Sequence, residues 1–299
     1  MSRSKKLKLI VPLVILIFVG AFAKHRLFDK ATQSGTLSSK QMGETSGIAA
    51  SSINPDIYYV HNDSGDTSRF FAITPNGKLK TTIYYNGLNS SLGVRDCEDI
   101  AVGPGPVRGK SYVYIGDIGD NNNVWPYITI YRIPEKKSWA TDSLTNVTAT
   151  AINLKYPDGA KDAETLMVDP VEKLFYIVTK RGDTVNVYTA PLKSAAHDTL
   201  TLTKRAKLFF PGFSPFKWIT AGDISKDGQQ VLLKSYEKVY YWHRQPHEHI
   251  WETMVRKPEE LHYKAEKQGE AIGFTPDGKG YYTTSEGVFA PIYYYETPE

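Results

Sequence analysis

Five short segments of the chain share a position, two residues before an aliphatic residue, that is mostly occupied by an oxygen-bearing side chain. The five residues at this position are Ser46, Glu98, Glu164, Gly222 and Glu270. Three glutamates brought to one point repel each other, so they either take up protons or bind a cation. Carboxylate, hydroxyl and carbonyl oxygens are the ligands of Ca²⁺, which accepts about six to eight of them. The pattern predicts a calcium site formed by the three glutamates, with Ser46 as a weaker ligand.

The fourth segment has glycine at the shared position, so another group must complete the predicted site there. Asp223 is the candidate that we take as a ligand, and the alternatives are Thr220, a backbone carbonyl or a water molecule. Asp117, at the end of a predicted strand in the second segment, is a further candidate ligand. The chain has no cluster of histidine and cysteine of the kind that indicates zinc.

The spacing of these segments predicts the fold that would bring them together. The aliphatic residues follow one another at steps of 52, 66, 58 and 48 residues. A repeat of roughly 40–50 residues with several short strands in each unit is typical of a β-propeller. We therefore expect an all-β domain over residues 44–299 with five blades, and six blades is the alternative. Residues 24–43 are expected to be a linker followed by a strand, within 34–42, that completes the last blade and closes the ring.

Turn-forming residues divide each repeat unit into strands and place the polar residues on one face. Clusters of Gly, Pro, Asn and Asp separate the inner strand of each unit from the second strand. The start of each inner strand and the end of each second strand then lie on the same face of the propeller, which we call the mouth face. The outer strand of the fourth unit is expected within 251–261.

Three further residues are candidates for chemistry at the mouth face. Lys180 and Arg181 follow the second strand of the third unit, where they could hold an anionic substrate. The alternative for each is an ion pair with a neighbouring acid. His61, at the end of the second strand of the first unit, could act as a general base if a carboxylate orients it.

The first residues have the pattern of an export signal. Four basic residues (Arg3, Lys5, Lys6 and Lys8) precede an apolar run that ends in Ala21-Phe22-Ala23. We interpret residues 1–23 as a secretory signal peptide, with an uncleaved membrane anchor as the alternative, and expect a secreted or periplasmic protein. The whole chain has a formal charge of +4, so removing these residues leaves 4 − 4 = 0. A neutral domain is not expected to bind nucleic acid.

Several phrases resemble those of a known group of proteins. They are residues 61–66 (HNDSGD), 98–103 (EDIAVG), 116–121 (GDIGDN) and 162–164 (DAE). They resemble secreted bacterial β-propeller proteins that are loosely similar to phytase-like and lactonase-like propellers. The central Ser and Glu positions resemble the calcium site of the calcium-activated nucleotidases, or apyrases, which are five-bladed propellers. The resemblance implies the propeller fold over most of residues 44–296 and a central Ca²⁺, and it implies little about activity.

Two functions follow as expectations. The first is a calcium-dependent hydrolase of phosphate esters or other esters, in which the cation polarises a substrate oxygen. The second is a non-catalytic propeller with a structural calcium that binds a ligand or a component of the cell envelope. In both cases the expected partner is an anionic small molecule or an envelope component, and the protein is expected to be a monomer.

Overall fold

The structure is a computed structural model that describes residues 31–88, 90–141, 143–194 and 199–298. The predicted export segment, residues 1–23, lies outside the described residues. Within the described part of the chain, no helix is long and apolar enough to cross a membrane.

Five successive sheets form the five blades of a β-propeller, and almost all of the regular structure is strand. The first blade contains β2 (Thr45–Ala50), β3 (Tyr58–Asn62), β4 (Arg69–Ile73) and β5 (Leu79–Tyr85). The second contains β6 (Cys97–Pro104), β7 (Ser111–Asp117), β8 (Ile128–Pro134) and β10 (Thr150–Lys155). The third contains β11 (Ala163–Asp169), β12 (Leu174–Thr179), β13 (Val185–Pro191) and β15 (Thr203–Leu208). The fourth contains β16 (Ile219–Ile224), β17 (Gln230–Ser235), β18 (Val239–His243) and β19 (Glu259–Leu261).

The fifth blade closes the ring, as the sequence predicted. Its strands β20 (Ala271–Phe274), β21 (Gly280–Thr284) and β22 (Pro291–Glu296) are completed by the N-terminal strand β1 (Thr32–Thr36), which pairs antiparallel with β22. The closing strand begins slightly earlier than expected, and residues Lys40–Met42 form a 3-10 turn. Five blades confirm the main prediction and exclude the six-blade alternative.

Three elements on the outside of the blades were not predicted. The strand β9 (Ser143–Val147) runs parallel to β5, and the short strand β14 (Leu200–Thr201) runs parallel to β10. Helix α1 (Ile250–Val255) lies in the fourth blade between β18 and β19, so only the end of the region 251–261 is the expected outer strand. These elements extend or cover the outer edges of the sheets.

Hydrophobic residues pack between neighbouring blades and hold the inner strands around one axis. Each of the five core clusters combines residues of two adjacent blades. Between the first and second blades, Trp139 packs edge-on against Tyr59 and Phe70, with ring centroids 5.7 and 5.4 Å apart. Aromatic pairs of this kind contribute about 0.5–1.5 kcal/mol each beyond the burial of their surface. The strands β2, β6, β11, β16 and β20 therefore meet in order around the centre.

Candidate functional site

A bulge near the start of the inner strand sets the direction of the side chains at the centre. In the first blade Thr45 pairs with Asn62 and Gly47 pairs with His61, which leaves Ser46 as an extra residue. The same irregularity leaves one residue without a cross-strand partner in each of the next three blades: Glu98, Glu164 and Thr220. A bulge bends a strand and changes the direction of its side chain, which is why bulges recur at functional sites. In the fifth blade Glu270 directly precedes β20, at the matching position.

The fourth blade differs from the alignment that the sequence indicated. The register of β16 and β17 makes Thr220 the equivalent of the three glutamates, two residues before Gly222. Gly222 is instead packed so tightly that a Cβ would lie 2.7 Å from Leu233 and 2.9 Å from the side chain of Thr165. Thr220 donates a long hydrogen bond of 3.4 Å to the carbonyl of Gly269.

Seven carboxylates at the mouth face lie close enough to form three overlapping groups. Within each group the oxygens lie within 4.8 Å of one another. The groups are Asp63 with Asp96 and Glu98, Asp63 with Glu270 and Glu286, and Glu98 with Asp162 and Glu164. We call these seven residues the acidic centre. Asp63 and Glu98 each belong to two groups, so the acidic centre is a continuous chain of carboxylates and not one ring around a point.

The three predicted glutamates are almost fully buried in the acidic centre. Glu98, Glu164 and Glu270 are 2%, 1% and 4% exposed. Each keeps one oxygen, Oε2, that is buried without a hydrogen-bond partner in the described structure. A buried polar atom without a partner costs free energy, and a charged one costs more. Oxygens of this kind point to a ligand or a bound proton.

Burial and mutual repulsion favour the protonated forms of these acids. The pKa values of Glu98 and Glu164 are raised well above the ordinary value, mainly by burial. Burial also raises the pKa of Asp63 to about 7 and that of Asp96 to about 6. The pKa of Glu286 is raised to about 8 by burial and then by the charge of Glu270. Without a cation, the acidic centre therefore holds several protons near neutral pH.

Two cations that the sequence singled out lie against the acidic centre. Lys180 is buried, and its ammonium group forms an ion pair with Glu164. Arg181 forms an ion pair with Asp162 at 3.2 Å, and its guanidinium lies 4.9 Å from the ring centroid of Trp218. The side chain of Arg181 is 34% exposed, so it can also reach a ligand in solvent.

A tyrosine that was not assigned to the site also belongs to it. Tyr236 donates a hydrogen bond of 2.5 Å to Oε1 of Glu270, and its ring centroid lies 5.9 Å from the ammonium nitrogen of Lys180. Tyr236, Lys180 and Asp63 lie one residue beyond the last ladder position of the second strand of their blade, and Glu286 lies two residues beyond it. This place just after the second strand is a sequence signal that would have identified them.

Asp223 and Asp117, two of the predicted ligands, are instead bonded to backbone amides. Asp223 accepts hydrogen bonds of 2.8 Å from the amides of Ile224 and Phe274, and so joins the fourth blade to the fifth. Asp117 accepts one of 2.9 Å from the amide of Asp96. Neither residue belongs to the three carboxylate groups.

Ser46 and His61 have structural contacts of their own. The hydroxyl of Ser46 donates a hydrogen bond of 2.8 Å to the carbonyl of Glu98 and so joins the first two blades. His61 is 1% exposed, and burial lowers its pKa to about 4, so the imidazole is neutral at physiological pH. Its Nε2 atom is buried beside Gly47 and has no hydrogen-bond partner in the described structure. The structure does not bring His61 to the acidic centre.

A close approach of the backbone completes the acidic centre. Gly119 lies directly against the carboxylates of Asp96 and Glu98, and a Cβ at this residue would overlap both. The absence of a side chain at residue 119 therefore leaves the space that these two carboxylates occupy.

Comparison with known proteins adds no assignment. No protein-family model matches the chain, and no curated protein matches it. The structure supports the five-blade propeller arrangement, but no match supports the resemblance to phytase-like, lactonase-like or apyrase propellers. Because a propeller fold does not define an activity, the function has to be argued from the acidic centre.

Proposed function

We propose that the protein is an exported β-propeller that binds Ca²⁺ at its acidic centre and uses the bound cation to hold an anionic ligand at the mouth face. The buried, partnerless Oε2 atoms of Glu98, Glu164 and Glu270 carry this proposal. A divalent cation would supply the missing partner and would favour the ionised form of the acids around it.

The donor set favours calcium over other biological cations. All seven candidate ligands are carboxylates, which suit hard cations. Ca²⁺ tolerates irregular geometry, whereas Mg²⁺ requires a near-ideal octahedron and usually keeps several waters. Cys97 is buried with its sulfur 3.9 Å from the hydroxyl of Tyr85, outside the acidic centre, so no soft ligand is available there for zinc.

The surroundings of the acidic centre favour an anionic ligand. A bound cation supplies positive charge that attracts and polarises a phosphoryl or carboxylate oxygen. Arg181 lies beside the acidic centre, is partly exposed, and is held in place by Asp162 and the ring of Trp218. A guanidinium held in this way can form two parallel hydrogen bonds to a phosphate or a carboxylate. The ligand class is therefore an anionic small molecule or an anionic component of the envelope.

Hydrolysis of a phosphate ester is a second candidate function. It is favoured by the partial exposure of Asp63 and Asp96, which are the solvent-facing members of one carboxylate group. A carboxylate at the edge of such a site can orient an attacking water and accept its proton. Asp63 would take the role of base that the sequence assigned to His61, because the imidazole is buried elsewhere.

The test is calcium removal and return, with stability and turnover followed together. Protein treated with a chelator is expected to melt at a lower temperature than protein returned to Ca²⁺, because a ligand that binds only the folded state stabilises it. The Glu270→Gln variant should lose most of this increase. Glu237→Gln, which changes an exposed glutamate outside the acidic centre, should keep it.

The same samples distinguish the two functions. Calcium-dependent turnover of a phosphate ester would establish the hydrolase. Calcium-dependent binding of an anionic ligand without turnover would establish the binding propeller. If Ca²⁺ changes neither the melting temperature nor ligand binding, the proposed calcium site does not exist.

A further inference from the structure

The carboxylate groups of the acidic centre differ in the cations that already accompany them. Two of the groups share no residue and lie between different blades. One is formed by Glu98, Asp162 and Glu164 of the second and third blades, and we call it the paired lobe. The other is formed by Asp63, Glu270 and Glu286 of the first and fifth blades, and we call it the open lobe.

The paired lobe has protein cations at two of its three carboxylates. The ammonium group of Lys180 contacts Glu164, and the guanidinium of Arg181 lies 3.2 Å from Asp162. Lys180 is itself buried, so its charge is held in place and is little screened by water. A divalent cation entering this lobe would have to displace the ammonium group or share its ligand.

The open lobe has no such partner. Among the described residues, no lysine or arginine forms an ion pair with its three carboxylates. Glu270 accepts a hydrogen bond from Tyr236 at Oε1, while its Oε2 atom is buried and partnerless. One oxygen of Asp63 accepts a hydrogen bond from the amide of Ser64, which leaves the other free to bind a cation. The ammonium group of the buried Lys234 acts on Glu270 through its charge but forms no ion pair with it, so the open lobe is the part of the acidic centre without an ion-paired cation among the described residues.

The net charge of the acidic centre also favours a cation in the open lobe. The acidic centre contains seven carboxylates, and the ion-paired Lys180 and Arg181 contribute two positive charges, so the ionised centre has a net charge of −7 + 2 = −5, or −5 + 1 = −4 when the nearby Lys234 is included. Like charges at these separations strongly disfavour full ionisation unless a cation is added. A cation in the open lobe compensates the acids with which no described lysine or arginine forms an ion pair.

We infer that the divalent cation binds in the open lobe, with Asp63, Glu270 and Glu286 as ligands, and that Lys180 takes the place of a second cation in the paired lobe. This inference rests on the proposed calcium binding. The calcium site is then off the propeller axis, between the first and fifth blades. The wild-type protein binds one Ca²⁺ per chain in this arrangement, and removal of the lysine charge creates a second site.

Equilibrium dialysis against Ca²⁺ at neutral pH, on the full chain, tests this inference. Wild type should bind one Ca²⁺ per chain. Glu286→Gln should weaken binding by about tenfold or more, because affinity depends on the number of charged ligands. Glu237→Gln, which changes an exposed glutamate outside the acidic centre, should leave this binding unchanged, and Asp162→Asn, the matched change in the paired lobe, should weaken it less than Glu286→Gln does.

The lysine variants test the second half of the inference. Lys180→Gln should bind two Ca²⁺ per chain, and Lys180→Arg, which keeps the charge, should bind one. If Lys180→Gln is poorly folded after chelator treatment, millimolar Ca²⁺ should restore its melting curve, because the second cation replaces the ammonium group. Failure of that rescue would count against the inference.

The possible failures can be distinguished. No Ca²⁺ binding by wild type would overturn the proposed function itself. Binding by wild type that is lost in Asp162→Asn and kept in Glu286→Gln would overturn the assignment to the open lobe and leave the proposed function intact. Two Ca²⁺ per wild-type chain, or one per Lys180→Gln chain, would overturn the role given to Lys180.

Discussion

Raising the pH of chelator-treated protein from about pH 6.5 to about pH 8 is expected to lower its free energy of unfolding. Asp63 and Glu286 hold protons in the folded state in this range, because their pKa values are raised from 3.8 to about 7 and from 4.5 to about 8. In the unfolded chain both groups have already released them. The folded state therefore binds more protons, and its stability is lost as the pH rises through these folded pKa values.

The size of the effect follows from the groups whose folded pKa values are raised and from those whose values are lowered. Over this range Asp63 contributes a loss of about 0.8 kcal/mol and Glu286 a loss of about 1.6 kcal/mol. Asp223, whose pKa burial also raises to about 7, contributes a further loss of about 0.8 kcal/mol. His61 and Lys234, whose folded pKa values are lowered to about 4 and about 8, gain stability as the pH rises, by about 0.4 kcal/mol each. Since Glu286 is partly exposed and its shift must be discounted for solvent screening, the net loss is about 2 kcal/mol.

Urea unfolding followed by tryptophan fluorescence measures this change directly. A loss of about 2 kcal/mol corresponds to a fall of roughly 4–8 °C in melting temperature for a domain of this size. Saturating Ca²⁺ should reduce the pH dependence, because a cation keeps the acids ionised at both pH values. A metal-free stability that is constant or increases across the range would refute the reasoning.

Three substitutions have expected effects of known sign. Glu98→Gln should raise the melting temperature of the metal-free protein at neutral pH, because Glu98 is ionised in the unfolded chain and must take up a proton on folding, a cost that glutamine does not have. The same substitution should reduce the increase that Ca²⁺ causes, and a thermal shift assay compares the two. Gly119→Ala should destabilise the protein by about 1–3 kcal/mol and weaken Ca²⁺ binding, because the new Cβ overlaps the Glu98 carboxylate. Urea unfolding and calcium titration test this, and normal Ca²⁺ binding by the variant would contradict it. Arg244→Met should lower the free energy of unfolding in urea by about 3–5 kcal/mol, because it removes the ion pairs that Arg244 forms with Asp169 at 3.2 Å and with Glu172 at 3.0 Å. A loss below about 1 kcal/mol would contradict this.

The fold could be predicted from the sequence because turn-forming residues separate the strands in every blade. The second strand of the third unit, predicted over 174–179, and the outer strand of the first unit, predicted over 79–85, form β12 and β5 with the same bounds. Closure by an N-terminal strand followed from the missing outer strand of the last unit. The parallel strands β9 and β14 and the helix α1 were not predicted, because each is short and depends on packing against a neighbouring sheet edge.

The candidate site was predicted only in part. Glu98, Glu164 and Glu270 do lie at the centre of the propeller, where the repeat placed them. The fourth unit was aligned two residues too far along, because Gly222 stands where the other units have the aliphatic residue, and the next aliphatic residue is Ile224. Asp63 and Glu286 were not recognised as neighbours, since only ring closure brings the loops after β3 and β21 together.

A crystal structure grown with Ca²⁺, with anomalous differences recorded, tests the central claim most directly. We expect a single strong peak within about 2.4 Å of carboxylate oxygens of the acidic centre, bonded to Glu270 and Asp63. Lys180 should still contact Glu164. Density without a peak at the acidic centre, in protein soaked at millimolar Ca²⁺, would contradict the account and leave protons as the means by which these carboxylates are neutralised.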